Sequence, residues 1–188
     1  MMQKKNITKI FYLFLFSHLI IWTLVPSILN LNLPLDTIEA LAWGSNLDWG
    51  FNKHPPLSAF VAQFFYLLFG SNDWSYYLLS QIFVILSFYY VWKLSEEIFE
   101  EKLYSLLSVL ILSGIIFYNF TSPEFNVNVS QLPFWALTVY FFWKGLKSNS
   151  KIDWLFFGVF SALGFLSKYL FIYLLISLLI YFVLNLKR

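Results

Sequence analysis

The chain has no cysteine, which excludes disulfides, thiolate metal sites and thiol-based catalysis. Charge is scarce: 12% of the 188 residues are Asp, Glu, Lys or Arg, against about a quarter in ordinary soluble domains. Histidine occurs twice, and the net charge of +2 is too small to suggest a nucleic-acid partner. What fills the space is apolar. Hydrophobic residues make up 60% of the chain and aromatic ones 23%, with mean hydropathy +0.70. One core of this size cannot hide that much apolar side chain from water, so a bilayer is required. The reading is an all-α, multi-pass integral membrane protein.

A membrane helix needs roughly 20 mainly apolar residues. Segments 10–29, 74–94, 103–120 and 127–143 qualify as spans. Segment 154–186 is too long for one helix and is interrupted by Ser167-Lys168-Tyr169, so it reads as two helices joined by a turn. Segment 10–29 follows lysines like a signal peptide, but it lacks a small-residue cleavage site and reads as a retained first helix. Segment 57–69, between Pro55-Pro56 and Gly70-Ser71-Asn72-Asp73, would reach only about 20 Å, short of a hydrocarbon core.

Charge parity decides its placement. With 57–69 in the interface and six spans crossing, Lys4, Lys5, Lys9, Lys93, Lys102, Lys144, Lys147, Lys151, Lys187 and Arg188 share one side, and Lys53 and Lys168 take the other. That asymmetry is the positive-inside pattern. The expected topology is about six transmembrane helices with both termini cytoplasmic and a first outer loop, 31–73, holding short interfacial helices. Residues 1–188 then form a single transmembrane domain.

The outer loop concentrates the residues with chemistry. Asp36-Thr37-Ile38-Glu39 has the form of a capping box before a short helix. The same carboxylates suit a general base or a metal ligand at the membrane surface. Lys53-His54-Pro55-Pro56 precedes the 57–69 helix. There His54 caps that helix while Lys53 reaches lipid headgroups, or both join the helix N-terminus as an anion site. Lys168 is an isolated charge in an apolar run, either a turn residue reaching the surface or a functional cation. Glu124, Asn126 and Asn128 read as an ordinary polar turn. His18, within the first span, reads as a packed, hydrogen-bonding residue between helices.

Three patterns occur in order: Glu39-Ala40 with Trp43 and then Trp49-Gly50-Phe51-Asn52-Lys53-His54-Pro55-Pro56-Leu57; Phe125-Asn126-Val127-Asn128 followed by Leu132-Pro133-Phe134-Trp135-Ala136-Leu137; and Gly164-Phe165-Leu166-Ser167-Lys168-Tyr169. Together they resemble the polyprenol-phosphate-sugar-dependent glycosyltransferases of GT-C fold, the group of protein O-mannosyltransferases and the lipid A aminoarabinose transferase. The resemblance covers nearly all of this chain but only the N-terminal half of such enzymes. A fragment, a split enzyme completed by a second polypeptide, and a complete product are all compatible with it.

The resemblance implies inverting transfer of a sugar from a polyprenyl-phosphate donor to a lipid, glycan or protein acceptor, on the outer side of a bacterial inner membrane. Asp36 and Glu39 take the catalytic positions. Lys53, His54, Lys168 and Asn128 take substrate- and phosphate-binding positions. A divalent metal ion is compatible with the family, with Glu39 and His54 as candidate ligands. Many relatives carry Asp-Glu-Ala in the first loop. Aligning Glu39-Ala40 puts Ile38 at that Asp, so either Asp36 from a shifted loop or Glu39 supplies the carboxylate. Two other classes also fit a chain of this composition: a non-catalytic membrane subunit or inactive remnant, and a small transporter. A transporter would show internal repeats and midplane charges, and neither is visible.

Overall fold

The structure, a computed structural model, describes residues 2–185, with side chains from residue 5 onward. Among the described residues it is entirely helical: α1 (Met2–Leu29), α2 (Leu35–Gly44), α3 (Leu57–Phe69), α4 (Asp73–Ile98), α5 (Lys102–Ser113), α6 (Val127–Ser148), α7 (Lys151–Ser167) and α8 (Ile172–Asn185). Short 3-10 helices precede α6 (Ile116–Tyr118) and α8 (Tyr169–Phe171). Lys187 and Arg188, which entered the charge count, lie outside the described residues.

α4 is the central post, flanked by α1, α5 and α6, and α6 in turn carries α7. Its buried positions explain why. Ser75, Ser80, Gln81, Ser87 and Ser95 face inward beside Tyr76, Tyr77, Leu79, Val84, Phe88 and Trp92. Small and hydroxyl-bearing residues let helices approach closely where lipid provides no hydrophobic drive. The outward faces are apolar: Leu13 and Phe16 of α1 are 66% and 63% exposed, and Leu179 and Leu184 of α8 are 61% and 72% exposed. This inverted pattern is that of a protein solvated by lipid tails.

Two helices are long and apolar enough to cross a membrane by length and composition, Lys5–Leu29 and Asp73–Ile98. Helix α3 has the expected bounds, and the expected interruption at Ser167-Lys168-Tyr169 does separate α7 from α8. One expected span differs. Segment 103–120 is not a single helix, because α5 stops at Ser113 and the chain turns through Gly114 into the 3-10 helix. Glycine followed by two β-branched isoleucines is a weak continuation for a helix. The early stop opens space beneath the second interhelical loop.

His18 is buried among the rings of Phe14, Trp22 and Phe88. The packing expectation holds, but Nε2 has no hydrogen-bond partner.

α2 and α3 form a hairpin at one end of the bundle. A side chain at Gly44 would meet the Ala59 carbonyl oxygen at 2.6 Å and Gln63 Cβ at 2.8 Å, so only glycine lets the two helices close. That closure brings the N-terminus of α2 over the loop before α6.

Candidate functional site

The first carboxylates do not form a capping box. α2 begins at Leu35 with Pro34 as its N-cap, and no side chain caps it. Asp36 sits inside the first turn. Its backbone N–H donates to Glu124 Oε1 at 3.1 Å, and its Oδ2 accepts from the Asn126 side-chain amide at 3.2 Å. The buried Thr37 hydroxyl donates to the Phe125 carbonyl at 3.1 Å. Glu39 does not reach back to the helix start; it accepts from Lys53 Nζ at 2.6 Å. Both acids therefore face partners far away in sequence.

Asn126 shows why an amide occupies this position. Its Oδ1 caps α6 by accepting from the N–H groups of Asn128 (2.9 Å) and Val129 (3.1 Å), while its amide nitrogen holds Asp36. A side-chain amide can accept at one atom and donate from the other, which serves both partners at once. An acid here would set two carboxylates against each other. The triplet 124–126 is thus the seat of Asp36, not an ordinary turn.

Lys168 comes from the opposite direction. Ser167 anchors the end of α7 through its hydroxyl to the Leu163 carbonyl, 2.9 Å. The fully buried Phe171 ring then folds back over Gly164, where any Cβ would collide with it. This tight turn aims Lys168 Nζ at Asn128 Oδ1, with which it bonds. The cation is half-buried and bonded to a residue at the start of α6.

His54 does not cap α3, whose N-cap is Pro56 with no side-chain bond. The imidazole is half-buried, edge-on to Trp43 at 5.9 Å, and Trp43 stacks on Phe51 at 5.2 Å. Burial and then the charge of Lys168 pull its pKa below 6.5, partly opposed by Glu39 and Asp36. With Lys53, which also lowers it, four charges act on one ring. Lys53 is shifted the other way, upward, by its bond to Glu39.

Asp36, Glu39, Lys53, His54, Asn128 and Lys168 therefore gather at one end of the bundle. Asp36 and Asn126 line two hollows. One is a narrow notch shared with Glu39, Trp43, His54 and Ser58. The other is a chamber of about 430 Å³ reaching toward the 3-10 helix. Glu39 is held by Lys53, and among the described residues no three His, Cys, Asp or Glu side chains converge as ligands. Glu124 and Asn126 were underrated by local pattern. Their partners lie 88 and 90 positions away.

A family model described as dolichyl-phosphate-mannose-protein mannosyltransferase matches residues 53–188. The match takes in Lys53, His54, Asn128 and Lys168 and begins after Asp36 and Glu39, which join them through the geometry above. No curated protein and no solved structure matches the chain.

Proposed function

The chain belongs to the dolichyl-phosphate-mannose-protein mannosyltransferase family, a family of membrane glycosyltransferases, and from that premise we propose the reaction and the residues that perform it. The donor is a polyprenyl-phosphate sugar. Lys168, with Lys53 and His54, holds the donor phosphate and stabilises the charge that grows on it as it leaves. Asn128 positions Lys168. Asp36 accepts the proton of an acceptor hydroxyl as that oxygen attacks the anomeric carbon. The acceptor O–C1 bond forms while the C1–O bond to phosphate breaks, which inverts the anomeric centre. The lipid phosphate leaves with the electron pair, and the proton rests on Asp36. Glu39 keeps Lys53 at the rim.

The observation that carries this reading is the grip on Asp36 by Glu124 and Asn126, beside the bond from Asn128 to Lys168. The Asn126 amide orients the Asp36 carboxylate through Oδ2, as Asn128 orients the Lys168 ammonium. The acceptor is a lipid, a glycan or a protein. The site faces the outer side of a bacterial inner membrane, with six spans, α3 lying in the interface and both termini cytoplasmic. The lysine distribution supports that orientation.

The test uses membranes containing the chain and radiolabelled mannosyl polyprenyl phosphate. Asp36→Asn lowers transfer of label by about 10²–10⁴-fold, the usual contribution of a general base, with membrane insertion unchanged. Full transfer by Asp36→Asn together with loss in Glu39→Gln would move the base to Glu39. Full transfer by both variants would remove the first loop from the chemistry.

A further inference from the structure

Three hydrogen bonds join the first turn of α2 to the loop before α6: Asp36 N–H to Glu124, the Thr37 hydroxyl to the Phe125 carbonyl, and the Asn126 amide to Asp36 Oδ2. Segment 119–126 has no helix of its own, so its place is set from outside. The α2–α3 hairpin does not set it. That hairpin closes at Gly44, eight residues and about 12 Å along α2 from Asp36. The anchor comes from α4. Ser80 Oγ donates to the Ser122 carbonyl, and Gln81 Nε2 donates to Ser122 Oγ at 3.1 Å. Ser122 Oγ donates in turn to the Asn119 carbonyl at 2.7 Å. Ser80, Gln81 and Ser122 are all fully buried. Pro123 then removes one backbone rotation between Ser122 and Glu124. Phe125, also fully buried, stands edge-on to Phe83 of the same helix at 5.4 Å.

Packing alone does not account for Gln81. A buried amide has given up water, and Gln81 Oε1 has no partner in exchange. Leucine or methionine would fill the position without that cost, as Leu79 and Val84 do nearby. What the amide does supply is the bond to Ser122. We propose that Gln81, with Ser80, is a positioning residue: the pair pins Ser122 to α4, and residues 123–126 carry that position to the Asp36 carboxylate. The consequence for sugar transfer rests on the reading of Asp36 as the base. The consequence for geometry does not. The aim of the first-loop acid is then set inside the helical bundle, by a span that lies outside the loop and touches none of the reacting groups.

The test reads geometry and turnover separately. Amide hydrogen exchange is followed by mass spectrometry on the chain in lipid nanodiscs, unmodified and as Gln81→Met, which keeps the volume and removes the amide. The expected result is exchange about tenfold faster in segments 119–126 and 35–38, with α5 and α7 unchanged. Ser122→Ala gives the same pattern, and the double variant falls short of the sum because both remove one bond. Faster exchange throughout the bundle, or no change anywhere, would make Gln81 a packing residue and overturn the proposal. Transfer from mannosyl polyprenyl phosphate is the second readout. Gln81→Met lowers kcat about tenfold with the donor KM within about twofold, and has no further effect in the Asp36→Asn background. Loss of transfer in Asp36→Asn with full transfer in Gln81→Met would also overturn the proposal. Full transfer in Asp36→Asn would instead remove Asp36 as the base, and the exchange pattern alone would then decide whether Gln81 holds the loop.

Discussion

Where α4 gives way to α5, Glu96 accepts from Lys93 at 3.2 Å and from Lys102 at 3.0 Å, and Glu97 pairs with Lys147 at 2.9 Å. At the opposite end Glu39–Lys53 is the one ion pair among the described residues. There Asp36 is held by a backbone donor bond to Glu124 and by the Asn126 amide, and Lys168 rests on Asn128. At the first end Glu96 and Glu97 are tied to lysines on their own or a neighbouring helix, which links α4 to α5 and α6. At the second, acid and cation are oriented by neutral amides and remain available to a third party. Charge matched by charge builds a scaffold, whereas charge aimed by amides can act on a ligand.

Substitutions at the two ends sharpen this contrast. After Asp36→Asn, the largest effect is expected at Lys168. Lys168→Met lowers sugar transfer by about 10²-fold, the usual loss on removing a group that stabilises a leaving oxyanion, and Lys168→Arg recovers part of it. Transfer assays on purified membranes measure both. If Lys147→Met at the other end were equally damaging, the contrast would fail.

A smaller effect concerns pH. His54 has its pKa lowered, chiefly by burial and then by Lys168, so the unfolded chain binds that proton more readily than the folded one. Its contribution to stability is therefore whole above the ordinary value of 6.5 and declines as pH falls below it. Thermal unfolding between pH of about 7.5 and about 5.5 should show a steeper fall for the unmodified chain than for His54→Gln. Parallel curves would mean that burial and Lys168 do not lower the imidazole's pKa in the folded chain. A bound phosphate would pull the pKa back up and flatten the difference.

The smallest effect is expected at the scaffold end. The Lys147–Glu97 pair has side-chain exposures of 60% and 31%, so screening limits it to about 0.2–1 kcal/mol. Lys147→Ala should shift the unfolding midpoint slightly and leave transfer within about twofold. A large loss of transfer would show that the two ends are coupled.

Much of the frame was legible because it is local. The interruption at Ser167-Lys168-Tyr169 and the isolated helix 57–69 follow from apolar run lengths and turn residues, and α6 starts at Val127, where the expected 127–143 span begins. α5 ended early because glycine and β-branched residues weigh more at Gly114-Ile115-Ile116 than the hydropathy of the run. The site was legible in its members but not in its bonds. Asp36 and Glu39 fit a capping box by spacing, and only tertiary folding turned them toward Asn126 and Lys53. Glu124 and Asn126 resembled a turn because nothing within ten residues of them marks a partner. Asn126 itself was the available signal, since an amide at a helix start can cap the helix and still serve a neighbouring carboxylate.

The division of labour requires the two ends to sit on opposite sides of one bilayer, and the absence of cysteine makes that directly measurable. Single cysteines at Trp49, 80% exposed in the first loop, and at Lys147, exposed at the far end, are treated in intact cells with a membrane-impermeant maleimide. The expected result is labelling of Trp49→Cys from outside, with Lys147→Cys labelled only after permeabilisation. Labelling of both in intact cells, or of Lys147→Cys alone, contradicts the orientation and with it the outward-facing site.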